Sequence, residues 1–205
     1  VENNYVSFAG TIWRIVRINE DGAIRIIMQA GINNSIGYSL NANKVGQYFY
    51  YSNSNAKSIL ENWYQANIGS KSDLAKNVVN GDYYCEQAKI DKTANYMPSF
   101  ECKNDVNNKR LVNSNIGLIT TDEIIYAGGH FKETKNNYYL YNRIYTWTMS
   151  PAKNSGNHYL WAIDPSGVVY IDSIGNTLIL RPVINLKSDT QVSGTGTSSD
   201  PFVVE

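Results

Sequence analysis

A chain of 205 residues can bury a substantial apolar core without covalent staples. Lys plus Arg and Asp plus Glu are each 18, the formal net charge is zero, and no basic run stands ready to neutralise a phosphate backbone or an anionic membrane surface. Nucleic-acid binding is therefore not expected, and the longest apolar runs, such as Leu178–Leu180 and Val183–Leu186, are far shorter than the roughly 18 residues of a spanning helix, so no membrane insertion by this segment is expected.

Hydrophobic residues make up 42% and charged residues 18%, the latter below the roughly 25% of ordinary soluble domains. Polarity comes instead from Asn, Ser and Thr, together with 16 Tyr. That bias suits secreted proteins and wet binding faces, and it equally suits AT-rich coding. The chain begins at Val1 rather than Met, which raises the expectation of a processed ectodomain that has lost an N-terminal segment.

In chain order, Tyr5–Phe8 reads as a strand that turns at Ala9-Gly10. Ile12–Ile18 and Ala23–Met28 are β-branched and aromatic runs, joined by Asn19-Glu20-Asp21-Gly22, whose Asp-Gly step is a strong hairpin signal. Ile12–Ile18 is apolar on both alternating faces apart from Arg14 and Arg17, as an interior strand would be. Arg14 is expected to be a partly buried clamp needing a carboxylate or carbonyls. Gly31–Ser54 shows no sustained period and reads mostly as loop. Asn55 is a plausible N-cap, after which Ile59, Leu60, Trp63 and Tyr64 fall at helical spacing, and the helix should stop near Ile68-Gly69. A second short helix is expected from Ser72, using Leu74, Val78 and Val79.

Cys85 and Cys102 lie in a segment dense in Asn, Asp, Lys and Gly, where core packing does not explain a thiol. Neither His130 nor His158 stands at zinc-finger spacing from them. A disulfide is expected, contributing about 3 kcal/mol and placing the protein in an oxidising, extracytoplasmic compartment. Ile116–Thr120 reads as a strand, followed by a short helix capped at Thr120, Thr121 or Asp122 and ended by Gly128-Gly129. Asp122 and Glu123 then sit in the first turn, where negative charge suits the helix dipole. Lys132–Arg143 is polar, Tyr-rich and expected to be exposed.

The last third reads as a meander of Tyr145–Met149, Tyr159–Ile163, Val168–Ile171, Leu178–Leu186 and Phe202–Val204. Asp164-Pro165-Ser166-Gly167 fits a type I turn, and Pro182 demands an edge or a bulge. Trp147–Pro151 and Arg181–Leu186 are expected as inner strands, and Gly194–Pro201 as the turn returning the C-terminus beside Tyr5–Phe8. The whole is an α+β fold: a single domain over 1–205, with a mixed or antiparallel sheet joining the N- and C-terminal strands, two or three short helices, and the disulfide loop 85–102 as an insertion.

Motifs of catalysis are scarce. Ser150 lacks a Gly-x-Ser-x-Gly context, Gly194-Thr195-Gly196-Thr197 has no strand-to-helix setting and no following Lys, and no calcium loop occurs. No enzyme activity, cofactor or metal is expected. Aromatic residues are the better lead. Trp13, Trp63 and Trp147 read as core, whereas Tyr48, Tyr50, Tyr51, Tyr138, Tyr139 and Tyr141 lie in polar stretches, and Tyr159 with Trp161 could face a groove. These eight form the candidate binding surface, since exposed Tyr and Trp give large contact area at low entropy cost.

Several motifs carry a family resemblance: Asn4–Phe8 with Trp13–Val16, Asn62-Trp63-Tyr64, Cys85, Pro98–Cys102, Gly117–Glu123 with Tyr126–Gly129, Trp147–Pro151, Arg181–Leu186, and Gly194–Thr197 with Asp200–Val203. Together they resemble an uncharacterised domain family of secreted and cell-surface proteins of Gram-positive-type bacteria, often found behind a pilin-like N-terminal segment. That resemblance implies an extracellular, cell-surface location and Cys85–Cys102 pairing, and it transfers no catalytic residue. The Trp147-to-Arg181 arrangement is also distantly similar to C-type-lectin-like folds, including the formylglycine-generating enzymes. Their calcium-binding Glu-Pro-Asn and Trp-Asn-Asp motifs and their late cysteine pair are absent from this sequence.

The functional expectation is a non-enzymatic bacterial surface or pilin-like ectodomain for adhesion, engaging a glycan, a peptide or a neighbouring subunit. One alternative is a structural subunit of an extracellular appendage. Another is a hydrolase of cell-wall or host polymers using Asp122, Glu123 or Asp164, which would need carboxylates converging across a groove.

Overall fold

β-Branched and aromatic runs at the N-terminus become β1 (Tyr5–Phe8), β2 (Thr11–Ile18) and β3 (Ile24–Met28) of a computed structural model that describes residues 3–32, 42–45, 48–87, 97–102, 104–105, 108–131, 133–152 and 159–205. The Asp-Gly turn between β2 and β3 is present, with Gly22 at φ 82°. Next come β4 (Ala42–Val45) and β5 (Tyr48–Ser54), then α1 (Asn55–Tyr64), a π-helical turn at Gln65–Gly69, and α2 (Ser72–Ala75). The middle of the chain holds β6 (Asp82–Cys85), β7 (Asn104–Asp105), β8 (Asn108–Lys109), β9 (Leu111–Ser114) and α3 (Thr121–Tyr126). The last third supplies β10 (His130–Phe131), β11 (Thr146–Pro151), β12 (Tyr159–Ile163), β13 (Val168–Ser173), β14 (Val183–Leu186), β15 (Val192–Ser193) and β16 (Phe202–Val204).

The main sheet has six strands in the order β14-β3-β2-β1-β16-β15. β1 pairs with β16 in parallel, Val6 opposite Phe202, so the two ends of the chain share one sheet. A four-stranded sheet, β10-β13-β12-β11, packs nearby, and β4-β5, β6-β9 and β7-β8 form two-stranded ladders. One apolar core runs through both large sheets and the helices, around the fully buried Trp13 and Trp147. The fold is α+β with a mixed sheet and short helices, as the sequence indicates.

Several local expectations are corrected. Gly31–Ser54 holds the β4–β5 ladder, which the loop reading did not foresee, and residues 33–41 and 46–47 of that stretch lie outside the described residues. Tyr50 and Tyr51 are adjacent and both buried, so β5 is covered on both faces and has no polar–apolar alternation to detect. The N-cap of α1 is Ser54, not Asn55: it is extended, and its Oγ accepts from the Lys57 N–H at 3.4 Å. Ile116–Thr120 is not a strand and is held by a bridge between Gly117 and Val183, whereas the polar Leu111–Ser114 pairs along its length with β6. A partner strand, not β-propensity, decided that choice.

Of Leu178–Leu186 only Val183–Leu186 is a strand, starting just after Pro182, which has no N–H to donate. β11 and β14 are not inner strands; each lies at the edge of its sheet. Every residue of both is nevertheless buried, because other elements cover them, and burial is what the apolar sequence reported. Arg14 is clamped by Asn4 Oδ1 at 2.7 Å and stacks 3.9 Å from the Tyr5 ring, with no carboxylate involved.

Candidate functional site

The Tyr-rich surface does not assemble. The Tyr48 side chain and His158 lie outside the described residues. Tyr50 and Tyr51 are buried; the Tyr50 hydroxyl donates to Gln87 Oε1 at 2.9 Å, and burial pushes the Tyr51 hydroxyl far above its usual pKa. Tyr138 is buried against Tyr141, contrary to the exposure expected of Lys132–Arg143. Half-buried Tyr139 and Tyr141 donate to the carbonyls of Val16 and Pro165 at 2.8 and 2.6 Å. Tyr159 is half-buried, and Trp161 packs edge-on against Phe131 with centroids 4.7 Å apart. Polar sequence neighbours concealed that these rings bridge loops to the core.

The three acids named for a hydrolase are each occupied. Asp164 closes its turn by accepting from Ser166 N at 2.8 Å and Val168 N at 3.0 Å, with Gly167 N donating to its carbonyl at 3.0 Å. Glu123 completes a capping box with Thr120, accepting from Thr120 N at 2.9 Å. It also pairs with Arg25 at 2.5 Å and Arg17 at 3.1 Å. Burial alone would push its carboxyl upward, but the two guanidiniums and the Thr120 donor outweigh that and hold it below the usual carboxylate range. Asp122 Oδ2 accepts from Phe100 N at 2.7 Å, Ser99 N at 3.1 Å and Ser99 Oγ at 3.4 Å. Burial dominates there and raises its carboxyl despite those donors.

The disulfide forms: Cys85 and Cys102 are bonded with Cα atoms 5.6 Å apart. It lines a cleft of about 200 Å³ together with Tyr83, Phe100, Leu111, Arg17 and the Asp122–Glu123 pair. Phe100 adopts φ 56°, a left-handed conformation that a non-glycine residue holds only when its surroundings impose it. Here the Asp122 carboxylate and the disulfide two residues on impose it. The Phe100 ring stays 46% exposed, edge-on to Tyr126 at 5.3 Å and 5.8 Å from the Arg17 guanidinium.

A second cleft, of about 390 Å³, opens between the C-terminal end of α1 and the β6–β9 ladder. Its walls are amides: Gln65, Asn80, Asn113 and Asn115, with Glu61 and Tyr64 beside them. Gly81 is the pivot. At φ 67° it makes the turn into β6; its N–H donates to Asn115 Oδ1 at 2.6 Å, and its carbonyl accepts from Asn113 Nδ2. Those bonds orient two amides and leave Asn113 Oδ1 and Asn115 Nδ2, with the side-chain amides of Asn80 and Gln65, without protein partners among the described residues. The π-helical turn, closed by Ser70 N to Gln65 O at 3.0 Å, carries Gln65 at its start. The sequence reading missed these residues because they come from three separate segments. The Asn80-Gly81 and Asn113-Ser114-Asn115 stretches are the only local signals, and each reads alone as a turn.

The two clefts adjoin. Tyr83 of the disulfide cleft and Asn113 of the amide cleft are direct partners across β6 and β9, and both side chains are exposed. Among the described residues no group of three or more His, Cys, Asp or Glu is placed to hold a metal ion. No described helix is long and apolar enough to cross a membrane. With the disulfide, that is compatible with an extracellular protein. No protein-family model, no curated protein and no solved structure matches this chain.

Proposed function

We propose that this chain is a non-enzymatic extracellular domain, of a cell-surface or pilin-like protein, that binds carbohydrate through the amide-lined cleft. The observation that carries this reading is the convergence of Gln65, Asn80, Asn113 and Asn115 on one open cleft, with donor and acceptor groups left uncommitted. Sugars present closely spaced hydroxyls that donate and accept at once, and side-chain amides match both roles. Structural engagement of Asp122, Glu123 and Asp164 supports a binding role over hydrolysis, since none is left as a general acid or base across a groove.

A second reading, an assembly subunit, draws support from the outer face of the main sheet. There Ile12 is 36% and Val203 44% exposed, on either side of Ser7 in register. Sedimentation at high protein concentration separates the two, because assembly predicts association and carbohydrate binding does not require it. The test of the first reading is a glycan array followed by calorimetry. The wild type should bind a defined glycan, and Asn80→Ala and Gln65→Ala, at exposed side chains, should weaken it about tenfold or more while the melting temperature holds. A blank array, or binding indifferent to both substitutions, refutes it.

A further inference from the structure

The disulfide cleft brings two arginines together with two carboxylates, and both carboxylates are already engaged within the protein. Arg17 and Arg25 share the Glu123 carboxylate. Arg25 is enclosed, with 3% of its side chain exposed, whereas Arg17 is 34% exposed and lines the cleft. Arg17 Nε is spent on Glu123 and Nη1 on Asn19, while Nη2 has no protein partner among the described residues. The Asp122 charge is directed elsewhere, toward the N–H groups of Ser99 and Phe100. One guanidinium therefore faces the cleft with donor capacity to spare.

Beside it the Phe100 ring is exposed and held in a left-handed backbone conformation by the buried Asp122 carboxylate. Strain of this kind persists where the surroundings over-determine it, and here its product is a preorganised aromatic face at the mouth of a cleft. Exposed Tyr83 also lines the cleft, and its register partner Asn113 lines the amide cleft. A guanidinium with a free donor, two exposed rings and an adjoining set of amides suit a ligand that carries a carboxylate, an apolar ring face and further hydroxyls.

We infer that the two clefts form one recognition surface for an acidic glycan. The carboxylate of a sugar acid pairs with Arg17, the ring of that sugar lies against Phe100 and Tyr83, and the neighbouring neutral sugar occupies the amides of Asn80, Asn113 and Asn115. This rests on the carbohydrate reading above and adds the chemical class of the ligand. An acidic peptide uses the same guanidinium and is the competing occupant, but it leaves the amide cleft with no role.

The experiment is calorimetry on the intact disulfide-bonded chain. The probes are a neutral oligosaccharide, the same oligosaccharide ended by a uronic or sialic acid, and an acidic, aromatic-containing peptide. The acid-ended sugar should bind about tenfold tighter than the neutral one, because a charge-assisted hydrogen bond is added, and that advantage should shrink as salt rises. Arg17→Gln should abolish the advantage and keep the weaker neutral binding, Arg17→Lys should retain part of it, and Phe100→Ala should weaken the acid-ended sugar more than the neutral one. Melting temperatures report whether each variant folds; Phe100→Ala, at an exposed ring, supplies the test if Arg17→Gln does not fold. Equal affinity for neutral and acid-ended sugars overturns this inference and leaves the carbohydrate reading standing. Binding of the peptide alone, or no binding of any sugar, overturns both.

Discussion

Replacing Glu123 by Gln removes one negative charge from the most enclosed ion cluster among the described residues. The amide can still accept from Thr120 N, so the helix cap survives in geometry. Arg25 loses its only carboxylate among the described residues while remaining 3% exposed. Stranding a buried charge in this way costs about 3–5 kcal/mol. Arg17 adds little, because its side chain is one-third exposed and water screens it. Against a total stability of about 5–15 kcal/mol, the loss is large.

Urea unfolding followed by tryptophan fluorescence reads it directly, since Trp13 and Trp147 are fully buried in the fold. The midpoint should fall with the slope unchanged, and Arg25→Gln added to Glu123→Gln should recover part of the loss. The pH dependence carries the same signature. The folded carboxyl lies below its unfolded value, so its stabilisation is present above the unfolded value and is lost as pH falls through the folded one. Glu123→Gln should remove that acid limb. A loss below about 1 kcal/mol, or strict additivity of the two substitutions, would refute the assignment of this pair as a buried, coupled one.

Asp122 should behave with the opposite sign. Its folded carboxyl is raised, so the stability tied to its protonation is present below the unfolded value and lost as pH rises through the folded one; in stability measured against pH, Asp122→Asn should remove that decline. Asp122→Ala strands the N–H groups of Ser99 and Phe100 and should cost about 2 kcal/mol in urea unfolding, with Asp122→Asn costing less. Replacing both cysteines by Ser should lower stability by about 3 kcal/mol, read as a lower melting temperature under non-reducing conditions and no difference from wild type under reducing ones. Gly167→Ala should cost more than about 1 kcal/mol by thermal unfolding, because φ is 85° and a Cβ there would overlap the Lys135 carbonyl; an unchanged melting temperature would contradict the turn geometry.

The return of the C-terminus beside β1 was expected from strands at both ends of the chain. Features set by a few consecutive residues were also legible in the sequence: the Asp21-Gly22 hairpin, the Asp164–Gly167 turn and the start of a short helix within Thr120–Asp122. Each rests on backbone conformation or capping chemistry that its own residues prescribe. Covered runs such as Trp147–Pro151 announced their burial but not their place at a sheet edge, because apolar character reports coverage and is silent about which neighbour provides it. β5 was missed for the converse reason: its Tyr- and Asn-rich stretch read as loop, and partner strands made both it and the unassigned β9 strands.

The candidate site was the least legible part. Tyr50, Tyr51 and Tyr138, singled out by their polar surroundings, turned inward, while Asn80, Asn113 and Asn115 looked like ordinary turn residues. Composition and local chemistry by themselves determined the α+β class, the turns and the expectation of a disulfide, because those follow from short-range sterics, hydrogen bonding and thiol chemistry. Tertiary structure alone decided which carboxylates were spent on arginines and backbone donors, which aromatic rings stayed outside, and which amides faced one another. Those outcomes depend on long-range pairing across β6 and β9, and pairing over such separations leaves no periodic trace in the sequence.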